Sequence, residues 1–187
     1  MKRVAQNLRS TDGAEIAEAA LVLPLVFMLI LGVVWFGRAF NIYSTIQQAA
    51  QQGAIVAARS SCATCGNTSP PIGTITGCPA TGSPNSVAFA IATVMCASSL
   101  DPGQIKNSAL PAPFSCGTPP VLLACPSTGN ITICRQALLN SPVSANQSPQ
   151  CGTIVSFQYP FQFYLPFTSL NMQNITLSAQ AQSRMEN

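Results

Sequence analysis

The stretch AALVLPLVFMLILGVVWFG, residues 19–37, determines how the rest of the chain is organised. It contains no charged residue and lies between Glu18 and Arg38. A helix of this length spans about 28 Å, close to the ~30 Å hydrocarbon thickness of a bilayer. Its apolar residues would lie on every side of the helix, which disfavours the alternative of a core helix in a soluble domain. We therefore expect one transmembrane helix.

A cleavable secretory signal is the stronger alternative, because Lys2, Arg3 and Arg9 form a basic leader before the apolar run. The run is too long for the apolar part of a signal peptide, and no clear small-x-small cleavage motif follows it. Positively charged leaders favour an orientation with the amino end in the cytoplasm. The sequence thus predicts a single-pass protein of the inner (cytoplasmic) membrane, with its C-terminal part periplasmic or extracellular.

The helix is expected to continue beyond the membrane and to occupy residues 14–59. Residues 41–59 contain no proline, and apolar or small residues recur there at helical spacing. These residues are Ile42, Ile46, Ala49, Gly53 and Val56. The predicted organisation is a cytoplasmic basic leader (1–13), the long helix with its transmembrane part at 19–37, and an extracytoplasmic cysteine-rich domain (60–187).

The cysteine-rich domain shows both helix and strand patterns. A second helix is predicted over residues 85–100, and strands are predicted near 131–134, 153–159 and 175–182. The last two strands are expected to pair antiparallel, and residues 103–150 to form loops tied by disulfides. Aromatic residues between those two strands either cover the open end of the sheet or form a subunit contact; they are Phe161, Phe163, Tyr164 and Phe167. The predicted fold class is α+β.

All eight cysteines lie on the outer side of the predicted span. In an oxidising compartment they form up to four disulfides, with 105 possible connectivities. The candidates are Cys62, Cys65, Cys78, Cys96, Cys116, Cys125, Cys134 and Cys151. Cys62 and Cys65 also have the C-x-x-C spacing of redox pairs and zinc half-sites. The βαβ pattern of redox proteins and a second metal-spaced pair are both missing, and the chain has no histidine. We expect structural disulfides, no metal and no cofactor.

The ionisable residues argue against catalysis and against nucleic-acid binding. After the span the acidic residues are Asp101 and Glu186 alone, so no paired carboxylates and no nucleophile with a partnering base can be drawn. The basic residues after the span are scattered without a patch. We expect no enzymatic activity, no nucleic-acid partner and no small-molecule substrate.

The residues GAEIAE, 13–18, resemble the processing signal of type IV pilins. A glycine is followed five positions later by a glutamate, after a basic leader and directly before an apolar span. In that family a prepilin peptidase cuts after the glycine. The resemblance implies that Gly13 ends the leader, that Ala14 starts the mature chain, and that Glu18 sets the assembly register by meeting the α-amine of a neighbouring subunit.

Three segments together resemble the TadE/TadG-like family of tight-adherence pilus systems, which are type IVc-like. The segments are GAEIAEAALVLPLVFMLILGVVWFGRAF, AAQQGAIVAARS, and the terminal VSFQYPF with LSAQAQSRMEN. The resemblance implies a minor pilin, or pseudopilin, that helps to assemble an adhesive filament and is incorporated into it. The implied partners are the membrane, a prepilin peptidase, other pilins and pilus assembly platform proteins. The alternative is a membrane-anchored extracytoplasmic binding or disulfide-exchange protein that is not part of a filament.

Overall fold

The computed structural model describes residues 12–59, 69–78, 80, 82–117, 119–140, 148–163 and 172–185. Side chains are described from Ile16 onward, except those of residue 163 and residues 172–174. The chain divides into two compact units, Met1–Phe40 and Asn41–Asn187. Each unit is described separately below.

One long helix, α1, runs over Asp12–Ala58 and includes Pro24. It confirms the predicted helix with a start two residues earlier and an end one residue earlier. From Ile16 onward its length and composition suffice to cross a membrane, and none of its most apolar window is buried. The first unit therefore presents a candidate membrane anchor, as the charge-free run predicted.

A second helix, α2, covers Val87–Ala97, within the predicted range 85–100. Ser86 caps its start, because the Ser86 hydroxyl accepts a hydrogen bond of 3.2 Å from the backbone N–H of Phe89. After the helix, the carboxylate of Asp101 accepts a bond from the N–H of Gly103 and caps a short 3₁₀ turn, Pro102–Gln104. The Ser86 side chain thus fixes the start of α2, and the Asp101 side chain fixes the start of the 3₁₀ turn that follows it.

Four antiparallel strands form one sheet in the order β1-β2-β3-β4. Their bounds are β1 Ser127–Thr128, β2 Ile131–Leu138, β3 Cys151–Phe163 and β4 Met172–Arg184. The three predicted strands are confirmed, and each is longer than its sequence pattern indicated. The fold class α+β is likewise confirmed.

Strand β3 continues through Pro160, although proline usually ends a central strand. The backbone N–H and C=O of Gln158 both bond to Lys106, at 2.8 Å each, so they point away from β4. Pro160 lies two residues further and has the same orientation, and the pairing of β3 with β2 reaches only to Ser156. The missing N–H of Pro160 therefore removes no bond of the sheet.

The main core lies between one face of the sheet and the two helices. Strand residues on that face, among them Val155, Phe157 and Ala179, pack with the outer part of α1 and with α2. The helix residues buried there are Ile46, Ala49, Ala50, Ala54, Ala57, Val87, Ala88, Ile91 and Met95. Small residues dominate the contribution of α1, and they let α2 and the sheet approach its backbone closely.

The cysteine-rich middle covers the opposite face of the sheet. A second cluster contains Cys134, Ala137 and Ile154 and is covered by partly buried side chains, including those of Leu110 and Leu123. Strand β2 bulges at Gln136, whose φ is 56°, and its register on β3 shifts there. The segment 113–123 bonds to β2 at this bulge, through Cys116 N–H to Gln136 O and Leu138 N–H to Phe114 O. The middle segment therefore supplies a second layer of core.

Among the residues that the structure describes, three disulfides tie these layers together: Cys78–Cys96, Cys116–Cys151 and Cys125–Cys134. The first joins a loop to α2, and the other two join the middle segment to β2 and β3. The prediction of disulfide-tied loops is confirmed for these six cysteines. Cys62 and Cys65 lie outside the described residues, as do Tyr164 and Phe167. Phe161 lies in β3 and is buried.

Candidate functional site

The predicted processing residues lie at the start of α1. Since the helix begins at Asp12, Gly13 and Ala14 are part of its first turn. Glu18 follows Ala14 by four residues and therefore lies on the same side of the helix, one turn further on. The structure places all three predicted residues in the first two turns of one helix, with Ala14 and Glu18 on one side and Gly13 on another. Whether they are processed and how they act in assembly stay predictions.

The side chain of Glu18 is exposed and lies among exposed apolar side chains. Ile16 is 70% exposed and Leu21 74% exposed. Within the part of the chain that is described, no hydrogen bond or ion pair engages the Glu18 carboxylate. A carboxylate in such surroundings is costly within a membrane, by ~2.5–3.5 kcal/mol at the bilayer centre, unless a cation meets it. The geometry leaves Glu18 open to a cation from outside this chain.

The other end of the apolar run is marked by Trp35 and Arg38. The guanidinium carbon of Arg38 lies 5.8 Å from the centroid of the Trp35 ring, a cation–π distance. Tryptophan and arginine are typical of the membrane–water boundary, where one part of the side chain is apolar and the other is hydrated. Glu18 and Arg38 are about 30 Å apart along an ideal helix, which matches the thickness of the hydrocarbon.

Between these ends α1 has an open groove on its surface. It is lined by Leu29, Gly32, Val33, Phe36, Gly37 and Phe40. A Cβ atom placed at Gly32 or at Gly37 would meet nothing within 4 Å, so both glycines leave the helix backbone accessible. Small residues beside large apolar ones are typical of surfaces on which membrane helices pack.

Sequence reasoning identified Glu18 but missed the Trp35–Arg38 pair and the glycine groove. Trp35 and Arg38 are three residues apart, and this spacing on a helix was the available signal. The five-residue spacing of Gly32 and Gly37 is weaker, because glycine is common in membrane helices whether or not it forms a contact.

Two ionisable side chains of the second unit, those of Arg135 and Asp101, stabilise its local structure. Arg135 on β2 donates hydrogen bonds to the hydroxyl of Ser69 and the carbonyl of Pro70, and so fixes the segment where the described chain resumes. Desolvation by burial lowers the pKa of Arg135 from its ordinary value. Asp101, the one acidic residue in the described part of this unit, caps the 3₁₀ turn. Among the described residues no group of three or more His, Cys, Asp or Glu side chains is arranged to hold a metal ion.

Residues 13–54 match a family model described as TadE-like protein. The match begins at Gly13 and includes Glu18 and the glycine groove, and it covers less than a quarter of the chain. No curated protein and no solved structure matches the chain. The likeness of the last 35 residues to the same family therefore stays a prediction. The segment from Gly13 to Ala54, which forms most of α1, is thus similar to the TadE-like family, as the resemblance in its sequence predicted.

Proposed function

We propose that the chain is a minor pilin, or pseudopilin, that takes part in assembling a tight-adherence pilus. The observation that carries the proposal is the TadE-like match over residues 13–54, which coincides with the exposed apolar part of α1 and its start. An apolar helix surface of this extent is stable only in lipid or against other apolar helices. A subunit that passes from a membrane into a filament needs both environments.

In this proposal a prepilin peptidase cuts between Gly13 and Ala14 at the cytoplasmic side of the inner membrane. The cut removes the basic leader and creates an α-amine on Ala14, which stays largely protonated at neutral pH. The new amine then meets Glu18 of a neighbouring subunit, whose carboxylate has no partner among the described residues of its own chain. Mutual neutralisation lowers the cost of placing both charges in a poorly hydrated filament core.

The proposal includes no enzymatic role and places the second unit outside the cytoplasm. In the described part of that unit Asp101 is the one acidic residue and serves as a cap, and the whole chain has no histidine. The three disulfides in the described part of this unit support an oxidising location. The proposed partners are the prepilin peptidase, other pilins and the assembly platform of the pilus.

Amino-terminal sequencing of the mature protein tests the processing step. A mature chain that starts at Ala14 supports the proposal. A start at Met1 identifies a plain membrane anchor, and a start beyond Gly37 identifies a secreted domain. Gly13→Ala is expected to block the cut, whereas Gly32→Ala, a glycine with open space around it in the same helix, is expected to leave it unchanged.

A second comparison separates assembly from processing. Glu18→Ala and Glu18→Gln are expected to be cut normally but to be missing from filaments sheared off the cells. Glu15→Ala removes the one other carboxylate in α1 that remains after the proposed cut, and it is the matched control, for which normal incorporation is expected. Normal incorporation of both Glu18 variants would contradict the assigned role of Glu18.

A further inference from the structure

The six residues that line the groove on α1 follow the spacing of a coiled-coil seam. A heptad frame with residue 33 at position a places the four large lining residues at positions d, a, d and a. In chain order these residues are Leu29, Val33, Phe36 and Phe40. Gly32 then falls at position g and Gly37 at position e, the two positions that flank such a seam. The outward positions b, c and f do not contribute to the groove.

The groove consists of two consecutive holes of a parallel coiled coil. In that arrangement each side chain at position a or d of one helix inserts among four residues of the facing helix. The hole for a facing Val33 is formed by Leu29, Gly32, Val33 and Phe36, and the hole for a facing Phe36 is formed by Val33, Phe36, Gly37 and Phe40. Each hole contains one glycine, where a Cβ atom would meet nothing within 4 Å. Both holes therefore have room for an incoming side chain.

The seam extends over the membrane segment of α1. In the same frame, positions a and d toward the amino end are occupied by Ala19, Val22 and Val26, and all three side chains are exposed. Valine at position a combined with leucine at position d favours a pair of helices over a larger bundle. The next position d toward the amino end is Glu15, so the apolar seam is confined to residues 19–40.

We propose that α1 pairs in the membrane with α1 of a second copy of this chain, parallel and without an offset along the helix axis. Copies of one chain insert with the same orientation, because the same leader charges orient each of them. The same residues mark the membrane boundary in each copy, so identical residues lie at the same depth. Val33 and Phe36 of each copy then lie level with the two holes of the other. Helices that pack in this way cross at about 20°.

Charge favours a second copy over a foreign helix with a polar face. Arg38 is the one charged residue of the segment 19–40, and it falls at position f, on the side away from the seam. The two Arg38 side chains of a pair thus point away from each other, and each keeps its Trp35 contact at the membrane boundary. Positions e and g, where charges usually select the partner, carry no charge in this segment. A charged residue facing this seam would be left unpaired in lipid.

This pairing is distinct from the subunit contact in the proposed function and does not rest on it. Ala14 falls at position c, outside the seam, so the pairing does not use its α-amine. Glu18 precedes the apolar segment and fills neither hole. The pairing therefore requires neither the cut after Gly13 nor the Glu18 carboxylate, whereas the proposed function requires both.

Cysteine cross-linking of the full chain in membranes tests the seam. Val33→Cys is expected to form a disulfide-linked dimer under mild oxidation, because residues at position a of the two helices face each other. Val34→Cys is the matched control, since the two valines are adjacent and almost equally exposed, 65% and 63%, but residue 34 is at the outward position b. It is expected to link at least about tenfold less, because Cα atoms more than ~7 Å apart cannot be bridged.

Two outcomes of this experiment overturn the proposal. One is linking of Val33→Cys that is no stronger than linking of Val34→Cys. The other is a linked product whose mass is not twice that of the chain, because it would identify a different protein as the partner.

Filling the groove tests the role of the glycines. Gly32→Leu places a large side chain in one hole and is expected to weaken dimerisation at least about tenfold. Ala20→Leu adds a large side chain at the outward position b and is the matched control, for which dimerisation like that of the parent is expected. Energy transfer between differently labelled copies in vesicles measures dimerisation, and circular dichroism verifies that both variants fold. Equal dimerisation of the two variants overturns the proposal.

The same assay separates this proposal from the proposed function. Gly13→Ala and Glu18→Gln leave the seam unchanged, so both are expected to dimerise like the parent even where they block cutting or incorporation. Loss of dimerisation in both variants would contradict the assignment of the contact to the seam. A parent chain that dimerises but is never cut would contradict only the proposed function.

Discussion

Gly53 of α1 packs directly against Ile91 of α2, and Gly53→Ala is expected to destabilise the second unit. A Cβ atom at this position would lie 2.8 Å from both Cδ1 and Cγ1 of Ile91, well inside ordinary contact distance. Ile91 is fully buried and cannot turn into solvent. Overpacking of this kind costs about 1–3 kcal/mol, and replacing glycine by alanine in a helix returns about 1 kcal/mol. The expected net loss in the free energy of unfolding is therefore about 1 kcal/mol.

Denaturant unfolding of the full chain in micelles, followed by near-ultraviolet circular dichroism, measures this loss. Gly32→Ala is the control, because a Cβ there meets nothing within 4 Å and the residue belongs to the first unit. Ile91→Val removes the Cδ1 atom and alone costs about 0.5–1.5 kcal/mol. Combined with Gly53→Ala it should cost at least ~0.5 kcal/mol less than the sum of the single changes. A Gly53→Ala protein as stable as the parent, with additive behaviour in the pair, would refute the reasoning.

Two further predictions concern the second unit. Replacing both members of Cys116–Cys151 by alanine should lower the free energy of unfolding by about 4 kcal/mol, and replacing both members of Cys125–Cys134 should lower it by about 3 kcal/mol. The first loss is larger because the first pair is 35 residues apart and the second pair 9. Denaturant unfolding of the oxidised variants measures both losses, and the reverse order would show that loop length does not control the effect. Burial raises the pKa of Tyr159 above its ordinary value of 10.0, so the folded state holds this proton when the unfolded chain has lost it. The free energy of unfolding should therefore fall as the pH rises above about 10. In the Tyr159→Phe variant it should fall less steeply with pH, and identical slopes for the variant and the parent would contradict this prediction.

The helices and strands could be predicted because their apolar residues recur at the spacing of a helix or of a strand. Residues 41–58 place Ile46, Ala49 and Gly53 at helical spacing, and all three are buried in the structure. The alternation in β4 likewise matches burial at Ala179 and Ala181, which are buried, and at Gln180, which is exposed, but it fails at Ile175, which is 45% exposed. Periodicity depends only on local geometry, so it is visible in the sequence.

Features that depend on distant partners could not be predicted. The predicted strand ended at Tyr159, whereas β3 continues to Phe163. It can include Pro160 because β2 no longer pairs with β3 at that level. The sequence did not reveal which cysteines pair with each other, because the pairing depends on how the loops fold over the sheet. The bulge at Gln136 adopts a positive φ that glutamine rarely takes, and no local pattern indicates it. That the middle segment covers a second face of the sheet was hidden for the same reason.

For the candidate site the sequence predicted the residues but not their surroundings. Gly13, Ala14 and Glu18 were named from their spacing, and the structure adds that Glu18 is exposed without a partner in the described part of the chain. The contact between Trp35 and Arg38 could be recognised only in the structure, because a cation–π contact depends on side-chain rotamers.

The three described disulfides lie entirely within residues 78–151, and α1 contains no cysteine. The outer part of α1 is thus fastened to the sheet and to α2 by packing, chiefly of Ala49, Ala50, Ala54 and Ala57. When tension is applied along α1, the packing contacts of α1 carry the load, and they separate before the disulfide-linked loops and strands change shape. Among the residues that the structure describes, no disulfide opposes separation of the outer part of α1 from the sheet.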